Sequence, residues 1–237
     1  MIASLTLLAT ILVLGAPVAL VLFPWAMITG NATPLYNASI RIVRAAFWLA
    51  RIRVETRGLE RVPARTACIF MANHVSNLDP PALLPRIPGR TSAFIKRSLT
   101  GIPVFGYGLQ LGDFVPVDRD GRVESAQEGV AAARRVLEHG IHITTFVEGT
   151  RSPDGRLLPF KKGPFYLAME TGAPCVPISI HGTEAMMAKG SLRIRPGTAC
   201  ITFHEPLYPR NFATREDLLA AVRAAIQSGL PEWMRGE

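Results

Sequence analysis

Two side chains able to do chemistry together, His74 and Asp79, lie five residues apart. Residues at that spacing do not share a face of a helix, so they can meet only across a turn that leads into one. Pro80 is typical of a first helical turn and predicts this arrangement, with Asp79 near the N-cap. A carboxylate bonded to one imidazole nitrogen leaves the other free to take a proton. From spacing alone, a general base and a simple capped turn are equally good interpretations.

A second group of candidate residues is the run Glu148-Gly149-Thr150-Arg151-Ser152, which follows an apolar strand-like segment. The glycine lets the backbone approach a ligand closely, and the arginine and backbone amides are suited to a phosphate. Asp118-Arg119 offers a second guanidinium after another such segment. Turn formation and surface ion pairs are the alternative interpretation of both groups.

The elements that must position these residues alternate between strand-like and helical patterns from Cys68 onward. We predict an α/β fold with a mixed sheet flanked by helices. Because polar groups follow several strands, and ligands bind at the carboxyl ends of strands in such sheets, one crevice is expected to hold them. The predicted strands are Cys68–Ala72, Ser92–Ile95, Asp113–Val117, Ile141–Val147, Cys175–Ile180 and a late pair, Leu192–Arg195 with Ala199–Phe203.

Helices are predicted from residues typical of helix ends as well as from apolar periodicity. The segment Val123–His139 stops at Gly140, and Pro164–Thr171 forms a shorter helix. A last helix begins near Thr214, where Asp217 three residues later predicts a capping box.

The first 28 residues are almost entirely apolar, and no charged side chain precedes Arg41. About 20 such residues suffice to cross a bilayer. A cleaved signal peptide is the alternative, but it normally begins with basic residues, which are absent here. Pro17 lies in mid-segment and is expected to kink the helix or make it re-entrant.

The segment Pro34–Val54 has arginines at helical spacing on one side, apolar residues on the other, and Trp48. This predicts an amphipathic helix in the headgroup layer, with an ordinary surface helix as the alternative. We therefore divide the chain into a membrane-anchoring pair of helices at 1–55 and an α/β domain at 56–237. The arginines follow the apolar segment, which places the domain on the cytoplasmic face of the membrane.

The net charge of +8 comes mainly from arginine. It fits anionic membrane lipids or an acidic protein, and nucleic acid ranks last because no nucleic-acid-binding motif is present. The three cysteines have no metal-ligand spacing, and apolar surroundings predict reduced core thiols at Cys68, Cys175 and Cys200. We predict no metal site.

Four blocks in order resemble the lysophosphatidic acid acyltransferases, that is, the 1-acylglycerol-3-phosphate O-acyltransferases of the glycerolipid acyltransferase family. The first is Asn73-His74 with Asp79, and the others are Phe114–Arg119, Phe146–Ser152 and Val176–Ile178. The resemblance extends from about Arg57 to Pro206, and includes Phe160-Lys161-Lys162-Gly163 between blocks.

The resemblance implies that a fatty acyl group passes from acyl-CoA or acyl-carrier protein to the free hydroxyl of a lysophospholipid. With 1-acyl-sn-glycerol-3-phosphate as acceptor, the product would be phosphatidic acid. In this interpretation His74 is the general base and Asp79 orients it, without a metal or bound cofactor. The phosphoglycerol head would be held by Arg119, Glu148, Gly149, Thr150 and Arg151. Supporting residues would be Asn73, Asp118, Ser152, Lys161 and Pro177, and the fourth block, which contains Pro177, would shape the acyl pocket.

Two positions depart from the family pattern. Val147 replaces a usual proline, which adds a backbone donor, and Ser98 replaces a frequent glutamate. The acceptor could therefore be another lysolipid, such as a lyso-ornithine lipid. Two rival hypotheses are a thioester or lipid hydrolase and an inactive membrane scaffold, although no Gly-x-Ser-x-Gly motif is present. The sequence does not determine acyl-chain length, the choice of thioester donor or the oligomeric state.

Overall fold

A computed structural model describes residues 2–102, 105–117 and 123–236. Its strands are β1 Ile52–Arg57, β2 Ile69–Ala72, β3 Thr91–Lys96, β4 Val115–Val117, β5 His142–Phe146, β6 Cys175–His181 and β7 Gly197–Phe203. Its α-helices are α1 Ile2–Thr29, α2 Thr33–Leu49, α3 Asp79–Leu83, α4 Phe105–Leu111, α5 Val123–Glu138, α6 Gly163–Thr171, α7 Thr183–Met186 and α8 Arg215–Ser228. Short 3₁₀ turns lie at Leu59–Arg61, Leu84–Arg86, Arg97–Gly101, Pro209–Asn211 and Glu232–Met234.

The described strands form one sheet in the order β1-β7-β6-β2-β5-β3-β4. Neighbouring strands are parallel except β6 and β7, which run antiparallel. The predicted mixed α/β sheet is therefore confirmed.

Strand β2 lies in the middle of the sheet and all four of its side chains are buried. Alternate residues of a strand point to opposite faces. Phe70 and Ala72 accordingly join a core on one face, and Ile69 and Met71 join a second core on the other. Helices α5, α6 and α8 contribute to the second core, so both faces of the central strand are covered. The end of β2, where the site residues begin, is thereby fixed on both sides.

The amphipathic helix is shorter than predicted, and a strand was missed. Helix α2 ends at Leu49, and Arg51 adopts a left-handed backbone with φ of 56°. Strand β1 then begins at Ile52 and alternates in burial, so the predicted end of the helix at Val54 is wrong. The β-branched residues Ile52 and Val54 favour this strand, which pairs in parallel with β7. It crosses the predicted domain boundary after residue 55.

The predicted strand Ala199–Phe203 is present within β7, but its predicted partner Leu192–Arg195 is not a strand. Residues 192–195 form an irregular segment, and β7 pairs instead with β1 and β6. Both edges of β7 are thus occupied. The backbone of this segment bonds the Ser4 hydroxyl, which accepts from the Ile194 N–H at 2.8 Å and donates to the Leu192 carbonyl at 3.3 Å.

Among the described residues, α1 is the one helix whose length and composition would allow it to cross a membrane. It continues through Pro17 and Pro24 without interruption. The helix packs along α2, and Phe23 meets the Tyr107 ring of α4 edge to face at 6.2 Å. Most of its apolar surface is exposed.

Other predicted features are present in the structure. Thr214 and Asp217 form the reciprocal capping box of α8. The three cysteines are free thiols. Cys68 and Cys175 are buried as predicted, whereas Cys200 is half-buried, so its predicted place in the core is wrong. Burial raises the pKa of Cys68 to about 11 and that of Cys175 to about 12. These two thiols are therefore protonated at neutral pH.

Candidate active site

His74 and Asp79 meet across the turn that joins β2 to α3. Nδ1 of His74 lies 2.8 Å from the Asp79 carboxylate, and the imidazole stacks on Phe146 with ring centroids 4.0 Å apart. An Nδ1–H donated to the carboxylate leaves Nε2 as an acceptor. The ring is thus held on one edge and one face.

The Asp79 carboxylate is completely buried and accepts four hydrogen bonds. Its Oδ2 atom accepts from His74 and from the backbone N–H groups of Val75 at 2.7 Å and Ser76 at 2.8 Å. Its Oδ1 atom accepts from the Thr183 hydroxyl at 2.5 Å. The predicted position of Asp79 near the N-cap is confirmed, because α3 starts at Asp79 itself. Its side chain does not cap the helix but bonds backwards to the turn. Asp79 therefore fixes the turn and the imidazole together.

The Glu148–Ser152 turn is fastened to the same histidine. The His74 backbone N–H donates to Oε1 of Glu148 at 2.6 Å, and the Ser152 N–H donates to the His74 carbonyl at 2.8 Å. Gly149 has φ of 69°, in the left-handed region that favours glycine. A Cβ there would also lie 3.0 Å from the Lys161 side chain. The two sequence blocks thus form one rigid unit.

Glu148 is a buried carboxyl whose protonation is balanced near neutrality. Burial raises its pKa to about 7, against the opposing effect of the N–H groups of Leu158 and His74, and the Asp79 charge adds to the increase. Its ordinary value is 4.5.

We expect Glu148 to make the protein less stable as pH rises from about 4.5 to 7. The folded state keeps this proton up to a higher pH than the unfolded state does. The free energy of unfolding therefore falls across that pH window and is constant above it. The full effect is about 3 kcal/mol, at 1.36 kcal/mol for each pKa unit. Urea unfolding in detergent at a series of pH values measures it.

The glutamine variant tests the assignment. Glu148→Gln removes the titration, so its unfolding free energy is expected to lack this decline. The control is Glu205→Gln, which changes a side chain 75% exposed in its ion pair with Arg61. A Glu148→Gln variant with the wild-type pH slope would show that another group titrates.

The residues predicted to bind the acceptor headgroup are only partly brought together. Gly149 and Thr150 are exposed on the turn, and the Arg151 carbonyl accepts from Lys189 at 2.8 Å. Lys161 lines the cavity beside His74. Asp118 and Arg119 lie outside the described residues, so their predicted roles remain predictions.

Three other supporting residues are built into the scaffold. The Asn73 amide bonds both backbone groups of Ile180 on β6, at 2.8 and 2.7 Å, and thereby fixes the end of β2 against β6. Ser152 is buried and donates to Asp154 at 3.0 Å. Pro177 is buried inside β6, where its carbonyl accepts from His204. The block 176–178 is not part of the lining of the cavity beside His74, and its predicted role in shaping an acyl pocket stays a prediction.

That cavity has a volume of about 820 Å³ and a mainly apolar wall. Its lining includes His74 together with Phe94, Val117, Val130 and Leu167. The volume lies within the range of small-molecule sites. In the part of the chain that the structure describes, no three metal-ligating side chains cluster together.

Sequence reasoning missed several residues that organise the site. Thr183 orients Asp79, Phe146 supports the His74 ring, and the Leu158 N–H donates to Glu148 at 2.8 Å. Thr183 follows the end of β6 after Gly182, so the rule that polar residues after strands line the crevice would have identified it. Leu158 acts through its backbone, which leaves no signal in its residue type.

The two departures from the family pattern have different structural settings. The N–H that Val147 supplies in place of proline donates to the Ala72 carbonyl at 3.0 Å and joins β2 to the end of β5. Ser98 belongs to the 3₁₀ turn after β3.

Comparison with known proteins gives a consistent result. An acyltransferase family model matches residues 53–181. A 1-acyl-sn-glycerol-3-phosphate acyltransferase of Limnanthes alba is 31% identical over 190 residues, covering 80% of this chain and 66% of the relative. The chloroplastic 1-acyl-sn-glycerol-3-phosphate acyltransferase BAT2 of Brassica napus is 37% identical, covering 70% and 47%. The chain thus spans about half to two thirds of the length of these relatives.

Among solved structures, the 1-acyl-sn-glycerophosphate (LPA) acyltransferase PlsC from Thermotoga maritima is similar, with a TM-score of 0.78 and 27% identity. The match covers 98% of this chain and 95% of that one. The His74–Asp79 pair, the turn that follows β5 and the mixed sheet all lie in the matched region. Since the family model matches more than half of the sequence and the whole fold agrees, the chain belongs to the acyltransferase family.

Proposed function

We propose that this acyltransferase transfers a fatty acyl group from a thioester, acyl-CoA or acyl-carrier protein, to the free hydroxyl of 1-acyl-sn-glycerol-3-phosphate, giving phosphatidic acid. The observation that carries the proposal is the His74–Asp79 pair, whose histidine lines an apolar cavity beside the Glu148–Ser152 turn. The names of the relatives support the choice of acceptor.

The proposed step is a direct transfer. The acceptor oxygen attacks the thioester carbonyl carbon while Nε2 of His74 removes its proton, and the C–S bond breaks as the new C–O bond forms. The proton on His74 then passes to the departing thiolate. Asp79 stabilises the positive charge on the ring in the meantime. General-base assistance contributes roughly 10²–10⁴-fold, and holding two substrates together adds further acceleration.

The cavity beside His74 supports a long apolar substrate. Its wall offers aliphatic and aromatic contact for an acyl chain whose carbonyl lies at the histidine. Lys161 and Lys162 in its lining provide positive charge for a phosphate or for an acidic carrier protein.

The position of α1 against the α/β domain, as well as its apolar composition, supports a location of this domain at the membrane. The helix contacts the irregular segment before β7 through Ser4 and α4 through Phe23. Both segments lead into strands of the sheet that holds His74. We propose that α1 and α2 attach the domain to anionic membrane lipids at the cytoplasmic face, so that a lysolipid reaches the site from the bilayer.

An assay with purified protein in detergent tests the function. Labelled acyl-CoA or acyl-carrier protein is supplied with a panel of lysolipids that includes 1-acyl-sn-glycerol-3-phosphate and a lyso-ornithine lipid. The expected product is labelled phosphatidic acid. Preference for another lysolipid would change the acceptor, thiol release without acylated lipid would indicate a hydrolase, and no turnover with any pair would indicate a scaffold.

Arg151 is expected to act on the acceptor. Arg151→Ala should raise the KM for 1-acyl-sn-glycerol-3-phosphate at least tenfold, because an arginine–phosphate bond is charge-assisted, while the KM for the donor stays unchanged. The matched control is Arg156→Ala, which removes an exposed guanidinium from the same loop. Equal effects of the two variants, or an unchanged acceptor KM, would remove Arg151 from this role.

A further inference from the structure

A second cavity lies away from His74, between the C-terminal half of α2, strand β1 and α3. Its volume is about 390 Å³. Its lining combines three arginines, Arg44, Arg53 and Arg86, with an apolar wall formed by Val43, Phe47, Trp48, Ile52, Val54, Pro81, Ala82 and Pro85. We call this cavity the arginine groove.

The charges in the arginine groove are not balanced internally. Glu55 is the acidic side chain in the lining, against three guanidinium groups. Among residues 2–102, 105–117 and 123–236, no ion pair joins a carboxylate to any of the three. The groove therefore has a net positive charge that an anion would offset.

Arg86 shows the imbalance most directly. Its Nε atom is buried and has no hydrogen-bond partner within the described chain. Burial, and then the positive charge of Arg44, lower the pKa of its guanidinium. Arg44 meanwhile donates to the Pro85 carbonyl, which holds it beside Arg86. Arg44 and Arg86 thus carry like charges that affect each other, and Arg86 has a buried N–H donor without a partner. Guanidinium groups in this state are suited to bind a phosphate.

The rest of the lining indicates what carries that phosphate. Trp48 is 76% exposed at the rim, and tryptophan prefers the boundary between lipid headgroups and acyl chains. The groove is lined by α2, which packs along the apolar helix α1. An ion such as free phosphate would gain nothing from the apolar wall, whereas a phospholipid would bury its glycerol and upper acyl carbons there.

We infer that the arginine groove binds the phosphate headgroup of an anionic phospholipid of the bilayer, as a site separate from the catalytic one. This inference relies on the membrane attachment proposed above. The opposite wall of the groove includes Pro81 and Ala82 of α3, the helix that begins with Asp79. Lipid bound there packs against the helix that orients the catalytic histidine, so membrane attachment stabilises the site.

Binding is measured with monomeric dihexanoylphosphatidylglycerol, a short-chain anionic lipid, in a Trp25→Phe, Trp233→Phe background where Trp48 is the remaining tryptophan. A saturable change in Trp48 fluorescence is expected, with no comparable change for dihexanoylphosphatidylcholine. The same anionic lipid should raise the Tm, because a ligand that binds only the folded state stabilises it. Absence of a saturable signal, or an equal response to inorganic phosphate, would overturn the inference.

Paired variants separate the groove from general surface charge. Arg44→Gln with Arg53→Gln removes one groove arginine from α2 and one from β1, and should raise the Kd at least tenfold and abolish the Tm shift. Arg41→Gln with Arg57→Gln removes two arginines from the same elements outside the groove. This control should change the Kd less than threefold. Equal losses in the two pairs would mean diffuse attraction and no discrete site. Neither measurement requires turnover, so failure here is distinct from failure of the proposed reaction.

Discussion

Replacing His74 with alanine is expected to reduce kcat by at least a hundredfold while the protein remains folded. The loss follows from general-base assistance, which contributes roughly 10²–10⁴-fold. Folding should survive because Asp79 keeps three of its four donors, from Val75, Ser76 and Thr183. Initial rates of thiol release and lipid acylation measure the effect, and circular dichroism and the Tm measure folding.

A second histidine provides the control for this variant. His139 is exposed after α5, so His139→Ala loses the same side chain without touching the site and should keep wild-type activity. If His74→Ala retained activity within fivefold of the wild type, another group would have to accept the proton. The acceptor KM should change little in this variant, because the histidine acts on the reacting hydroxyl rather than on the phosphate.

The active-site turn was predictable from sequence in outline but not in detail. The position of Pro80 restricted Asp79 to the start of a helix, and this placed it close to His74. The hydrogen-bond partners of the Asp79 carboxylate could not be predicted. An aspartate at this position can accept either from the N–H groups of the helix that follows it or from those of the turn that precedes it. Glu148 shows the same limit. Its two partners are the backbone N–H groups of His74 and Leu158, and any non-proline residue can supply those.

The errors in the predicted fold arise where the sequence matches both a helical and a strand periodicity. Arg44 and Arg51 lie on one helical face, but Arg51, Arg53 and Glu55 also alternate as a strand does. The strand forms because β7 pairs with β6 along one edge only and with β1 along the other. That pairing joins residues distant in sequence, such as Ile52 and Gly197. The same pairing excluded the predicted late hairpin. Local patterns thus predicted the buried central strands well, since apolar composition alone determines them, and failed at the sheet edge, where long-range pairing decides.

Asp79→Asn is expected to reduce kcat about 10²–10⁴-fold with little loss of stability. The oxygen of the asparagine amide can face the three donors now on Oδ2, and its NH₂ can donate to the Thr183 hydroxyl, which can rotate to accept. The geometry is then kept while the negative charge beside His74 is lost. That charge stabilises the protonated imidazole and favours the tautomer that carries the proton on Nδ1. In the Ser-His-Asp triad the corresponding aspartate-to-asparagine change costs about 10⁴ in kcat through the wrong tautomer.

Two further variants separate charge from structure at Asp79. Asp79→Ala leaves the N–H groups of Val75 and Ser76 and the Thr183 hydroxyl without their buried acceptor, at about 1–3 kcal/mol each, so its unfolding free energy should fall sharply. Thr183→Val removes one hydrogen-bond donor to Asp79 and keeps the negative charge of the carboxylate, so kcat should decrease less than in Asp79→Asn. If Asp79→Asn and Thr183→Val reduced kcat equally, the carboxylate would act by positioning alone. If Asp79→Asn were as unstable as Asp79→Ala, the amide would not replace the carboxylate in this turn, and the activity loss would reflect lost structure rather than lost charge.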